Sequence, residues 1–204
     1  MPSKLLRATR SAGKTYSFDD LHDPSLPADH WFQDTSEGRA LFLVLYTRAC
    51  LWSLCTGCNL PSRMSSRDVG FGLVMRQIGH VFSRILTPGR AAGLRKIILS
   101  NNGSVLDERT LSTTALLYFV AMMNLRCPRV ETLTLETRPE HIDEDELEVL
   151  ARALREGPVS TTLELAIGFE TFDDAIRNKQ FKKGLSKAEF ERAVRIAAAH
   201  GFRV

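Results

Sequence analysis

The chain has 204 residues, 44% of them hydrophobic and 25% charged, with a formal charge of +3 at pH 7. That length suits one domain with a substantial core, and the small charge, spread without basic runs, argues against a purely electrostatic nucleic-acid binder. No apolar run approaches the eighteen residues of a membrane span, and Met1-Pro2-Ser3-Lys4-Leu5-Leu6-Arg7 has no apolar core of a signal peptide, so a cytoplasmic protein without membrane partners is expected.

Residues 1–38 mix Pro, Asp, Ser and Lys without sustained periodicity and read as an extended N-terminal arm, anchored on the body by Trp31 and Phe32. The core, 39–204, opens with Leu41 to Tyr46, a short apolar run rich in strand formers that predicts a fully buried strand. It empties into Cys50, Cys55 and Cys58, spaced C-x4-C-x2-C. In a reducing compartment, thiols so close together point to metal or redox chemistry rather than structural disulfides.

Next, Asp68 is a candidate N-cap for a helix carrying Val69, Leu73, Val74, Ile78, Val81, Phe82 and Ile85, ended by Pro88-Gly89. Lys96 to Leu99 predicts a second strand running into Ser100-Asn101-Asn102-Gly103-Ser104. A long, nearly all-apolar helix is expected from Asp107 to Leu125, closed by Cys127-Pro128. Cys127, between helix and strand, reads as an inert core thiol.

Val130 to Arg138 predicts a third strand whose alternation puts Val130, Thr132, Thr134 and Glu136 on one side, so Glu136 faces inward at the cysteine end. Asp143 to Arg155 is amphipathic with acidic residues leading. Thr161 to Glu170 is the fourth strand, with Glu164, Ala166, Gly168 and Glu170 on one face. Helical pieces follow at 172–181 and 186–200, the second opened by a Ser186/Glu189 capping box and ended at Gly201; Phe202 to Val204 begins a fifth strand. Alternating β and α units imply parallel strands with right-handed crossovers. The expected fold is α/β, a partial (β/α) TIM-type barrel of about four units plus the start of a fifth strand. An eight-unit barrel needs about 250 residues, so either a natural half-barrel or a truncated piece is expected, with an open edge available for a partner or self-association.

The series Cys50/Cys55/Cys58, Ser100 to Ser104, Glu136 to Glu140 and Gly168 to Glu170, each at a strand end, resembles the radical S-adenosylmethionine (radical SAM) superfamily, near the catalytic subunit of Elongator and the archaeosine-biosynthesis radical enzymes. The resemblance covers about Ala40 to Val204. It implies that Cys50, Cys55 and Cys58 ligate a [4Fe-4S] cluster, that S-adenosylmethionine occupies the fourth iron, and that reductive cleavage yields a 5′-deoxyadenosyl radical. By position it implies cofactor contacts from Asn101, Asn102, Gly103, Ser104, Glu136, Arg138 and Glu170. It also implies an electron donor of flavodoxin or ferredoxin type, and transfer RNA as the substrate class of the family's neighbours.

This chain departs from the commonest family pattern in three places. One extra residue separates Cys50 from Cys55, Gly57 replaces an aromatic residue before the third cysteine, and no acidic residue closes the Ser100 to Ser104 loop. Taken without the resemblance, the triplet admits a structural zinc site, which wants a fourth Cys or His, or three unliganded thiols, and the chain admits a non-catalytic metal-binding interaction module. Glu136, Arg138 and Glu140 equally read as a surface ion-pair cluster. The histidines, at 22, 30, 80, 141 and 200, form no pair at metal-binding spacing.

Overall fold

The computed structural model describes residues 13–204; the opening of the predicted arm, 1–12, lies outside the described residues. One five-stranded sheet runs in the order β1 (Asp29–Thr35), β2 (Gly38–Val44), β3 (Lys96–Ser100), β4 (Thr132–Thr137), β5 (Thr162–Ile167). Strands β2 to β5 are parallel, as the β/α alternation predicts, while β1 is antiparallel to β2. The sheet does not close, and the architecture is a partial TIM-type barrel.

Side-chain alternation builds both faces of the sheet. Leu41, Leu43, Ile97, Leu99, Leu133, Leu135, Leu163 and Leu165 are buried and pack under the helices in one continuous core. Each such side chain contributes about 1.5–3 kcal/mol relative to exposure. The alternate positions form the other face, which carries Lys96, Thr132, Thr134, Glu136 and Glu164 beside Phe42 and Ile98. There Lys96 Nζ donates to Glu37 Oε2 and Glu164 Oε2, both at 2.6 Å, and Thr134 Oγ1 donates to the same Glu164 oxygen at 2.6 Å.

The helices are α1 (Phe71–His80), continued by a π turn at Val81–Ile85, then α2 (Pro88–Ala92), α3 (Thr113–Arg126), α4 (Glu144–Arg155) and α5 (Lys187–Ala199). The Ser186/Glu189 capping box is formed, and Gly201 has φ +71°. A parallel bridge joins Arg203 to Glu164 where the fifth strand is expected.

Several elements differ from the sequence expectation. The stretch 29–35, expected to be an arm laid on the body, is a sheet strand: Thr35 and Gly38 close a tight hairpin, and Trp31 stacks on Phe42 at 4.1 Å. The first helix starts at Phe71 with Gly70 as N-cap, so Asp68 does not cap it. The third helix starts at Thr113, not Asp107. Ser112 Oγ accepts from Ala115 N, while the Asp107 carboxylate is taken up by Arg109 at 2.8 and 3.0 Å. Pro88 opens a short helix instead of only ending one. Within 172–181 the helical part is 174–180, its Ile176–Gln180 portion a π turn.

Candidate thiol site at the strand ends

Beyond β2 the chain is held before it reaches the cysteines. Gln77 of α1, fully buried, accepts from Tyr46 N at 2.8 Å and donates to Tyr46 O at 2.7 Å, so both backbone groups of a buried residue are satisfied by one side chain. Arg48 then bridges Ser65. Ser53, at φ +48°, turns the loop back, its hydroxyl donating to the Cys50 carbonyl.

The 50–58 loop is gripped from two sides. Trp52 Nε1 donates to Lys182 O at 2.7 Å, Thr56 N to Phe181 O at 2.9 Å and Thr56 Oγ1 to Gln180 O at 2.7 Å. Gly184, at φ +61°, lies under the Trp52 ring, where a Cβ would stand 2.2 Å from indole carbons. Only glycine fits there. On the opposite side, Lys14 and Tyr16 reach the loop's carbonyls.

Cys50, Cys55 and Cys58 line one cavity of about 860 Å³ with Asn102, Gly103, Glu136, Arg138 and Glu170. Asn101 and Ser104 instead line a neighbouring pocket of about 190 Å³, which shares Cys50, Gly103 and Arg138 with the larger one. The ten residues singled out in the sequence therefore gather at the carboxyl ends of β2 to β5, where parallel β/α folds place their sites.

Their states differ. Ser104 Oγ is engaged with Thr137 Oγ1 at 2.7 Å. Asn101 spends both amide hydrogens, on Ser104 O at 3.2 Å and Thr110 Oγ1 at 3.1 Å, which fixes its orientation and leaves the buried Oδ1 without a donor. Arg48 Nε, on the same pocket, is buried without an acceptor. Arg138 pairs with Glu140 at 2.5 Å, donates to Lys183 O at 2.9 Å and lies over the Trp52 ring; Glu170, at φ +63°, pairs with Lys183 at 2.9 Å.

Burial pushes the Cys55 thiol above its ordinary value, opposed by the Lys183 and Arg138 charges, while Cys50 and Cys58 push it further up. The thiols are thus close enough to feel one another. They are not closed on a point: among the described residues no three His, Cys, Asp or Glu side chains stand arranged around a metal position. The donor set nevertheless fits a thiophilic centre in kind, with three sulfurs on one wall and two cations beside them. Cys127 is 2% exposed, and burial pushes its thiol up to about 11.

Sequence reasoning missed Lys14, Tyr16, Arg48 and Lys183. Lys183 is one of three lysines within 179–183, a weak local signal, whereas nothing local marks Lys14 or Tyr16.

Fold and site together define an open TIM-type half-barrel with a thiol triplet on its strand-end face. No family model matches the chain. It is 31% identical over 170 residues to archaeosine synthase subunit beta of Methanosarcina acetivorans, covering 81% of this chain and 46% of that protein. It is also 25% identical over 185 residues to an uncharacterized protein of Methanocaldococcus jannaschii, covering 87% and 49% respectively. The chain thus spans about half the length of these curated relatives. Among solved structures, its fold is similar to that of a queuine lyase from Clostridium spiroforme bound to SAM and queuine, with TM-score 0.52 and 15% identity over 83% of this chain and 75% of that one. These comparisons are consistent with the resemblance read from the cysteines and strand ends, to the radical SAM superfamily near the archaeosine enzymes. No helix among the described residues is long and apolar enough to cross a membrane.

Proposed function

We propose that this chain carries the cofactor-binding part of a radical SAM enzyme acting in RNA modification, with Cys50, Cys55 and Cys58 as ligands of a [4Fe-4S] cluster. The observation that carries this reading is the sharing of one strand-end cavity by all three thiols and by Gly103, Glu136, Arg138 and Glu170. When bound, the cluster supplies the electron for reductive cleavage of S-adenosylmethionine.

The chain's own groups suit the rest of that cofactor. Among the residues that line the small pocket beside Cys50, Asn101 Oδ1 is a buried acceptor without a donor and Arg48 Nε a buried donor without an acceptor, so its wall holds unspent hydrogen-bonding capacity of both kinds for the amino-acid end of the cofactor. Gly103 lets the β3 loop lie close against Cys50, where a Cβ would stand 3.2 Å from Cys50 Cα and Cβ and force one of the two to shift. Glu136 and Glu170, on the same cavity, provide carboxylates for ribose hydroxyls. Transfer RNA as the substrate class is part of the proposal, supported by the resemblance to the archaeosine branch. An electron donor of flavodoxin or ferredoxin type and a partner on the open edge complete the proposal.

Anaerobic reconstitution tests it. The expected result is a brown protein with about four irons and four sulfides per chain, which forms methionine and 5′-deoxyadenosine after reduction with dithionite. A colourless protein retaining one zinc, with no cleavage, would replace the enzyme by a structural metal module.

A further inference from the structure

The thiol loop has a support that neither the cysteine motif nor the relatives indicate. Lys14 Nζ donates to the Cys58 carbonyl at 2.8 Å and also to the Cys55 carbonyl, 44 and 41 positions away in sequence. Tyr16, 7% exposed, donates its hydroxyl to Ser53 O at 2.9 Å and lies 3.4 Å from Cys58 O. The ammonium sits over the Tyr16 ring, 5.0 Å from its centroid, so the two side chains brace each other.

Among the described residues no carboxylate forms an ion pair with Lys14. Three acids of the site are paired elsewhere, Glu140 with Arg138, Glu170 with Lys183 and Asp107 with Arg109, while the Glu136 carboxylate stands on the cavity itself. An ammonium held by the carbonyls of two cysteines, with no carboxylate paired to it among the described residues, puts a positive charge on the backbone of the 55–58 turn. A fixed cation there stabilises negative charge on neighbouring sulfurs and on whatever they bind. Its bonds also do a mechanical job. The turn from Ser53 to Cys58 has few backbone bonds of its own, the Cys58 N to Cys55 O contact at 3.2 Å among them, so its shape depends on outside donors.

We infer that Lys14 and Tyr16 are positioning residues of the thiol site: they hold the 53–58 turn so that Cys55 and Cys58 face the cavity, and Lys14 supplies the standing charge that favours an anionic centre there. The inference rests on the thiols binding metal, as proposed above, but not on which centre they hold. The segment before the sheet is then part of the site.

Two readouts test it on the full chain, neither requiring turnover. The first is Co(II) titrated into the anaerobic apoprotein, followed by sulfur-to-cobalt charge-transfer absorbance; the second is the midpoint potential of the reconstituted protein. Lys14→Met is expected to weaken Co(II) binding at least tenfold and to move the potential lower, since a cation stabilises the more negative reduced state. Lys14→Arg is expected to recover most of both. Tyr16→Phe removes one hydroxyl and should weaken Co(II) binding several-fold with the helical circular dichroism unchanged. Wild-type values for Lys14→Met and Tyr16→Phe in both readouts would overturn the inference while leaving the radical SAM reading intact. Tight Co(II) binding that depends on Lys14, with no iron-sulfur centre formed, would keep the inference and remove that reading.

Discussion

A Cβ on Gly103 would stand 3.2 Å from both Cα and Cβ of Cys50, so the loop after β3 lies directly against the first thiol residue. The contact ties the second strand end to the thiol wall. It is tighter than side chains ordinarily tolerate, and Cys50 has backbone, not a flexible tip, at the point of contact. Gly103→Val is therefore expected to displace Cys50 at a stability cost of about 1–3 kcal/mol and to lower iron retention after reconstitution at least tenfold. Iron content per folded chain, with urea unfolding for stability, checks it.

Gln77 is the second test. Its side chain satisfies the N–H and C=O of buried Tyr46, and also donates to Pro24 O at 2.9 Å. Gln77→Leu fills the space but orphans those groups, so a loss of about 2–4 kcal/mol is expected from two unsatisfied buried backbone groups. Urea denaturation measures it. An unchanged midpoint would show that the chain leaving β2 is held by something else.

The Cys127 thiol gives a pH prediction. Burial raises it to about 11, from an ordinary value of 9.0. The folded state therefore keeps its proton after the unfolded chain has lost its own. The resulting stability is fully present below pH 9 and is lost as pH rises toward 11. A shift of that size corresponds to about 2–3 kcal/mol. Cys127→Ala should flatten the fall across that window, as followed by denaturant midpoints, at some cost in packing below it.

Lys183 bears on Cys55 in the opposite sense from burial, lowering a thiol that desolvation raises. Removing the charge with Lys183→Met should push Cys55 further up. Alkylation of Cys55 by iodoacetamide, followed by mass spectrometry, is then expected to slow several-fold at neutral pH, with its pH midpoint moved upward. Because thiols bind metal as thiolates, Co(II) affinity should fall in parallel.

The parallel strands were legible because each is a short apolar run bounded by turn residues, and Leu133 and Leu135 alternating with Thr132, Thr134 and Glu136 announces one buried and one polar face. Glu136 lines the large cavity, where that alternation puts it. The first hairpin was not legible. Asp29 to Thr35 is largely exposed, so it lacks the apolar alternation that marks a half-buried strand, and its partner was already accounted for as a buried parallel strand. Asp107 misled because a carboxylate ahead of a helix serves equally as a cap or as an ion-pair partner; Arg109 two residues on takes it, and the fold adds His141. The grip of Lys14 on Cys55 and Cys58 spans more than forty positions, beyond the reach of any local pattern.

The antiparallel β1 also has a topological effect. Since β2 already pairs with β1 on one flank and β3 on the other, a strand arriving from beyond β5 cannot be sewn to β2, and the edges open to it are those of β1 and β5. The five strands form a gutter, not a tube. A gutter admits bulky cargo from the side, where a tube would take only what threads its mouth.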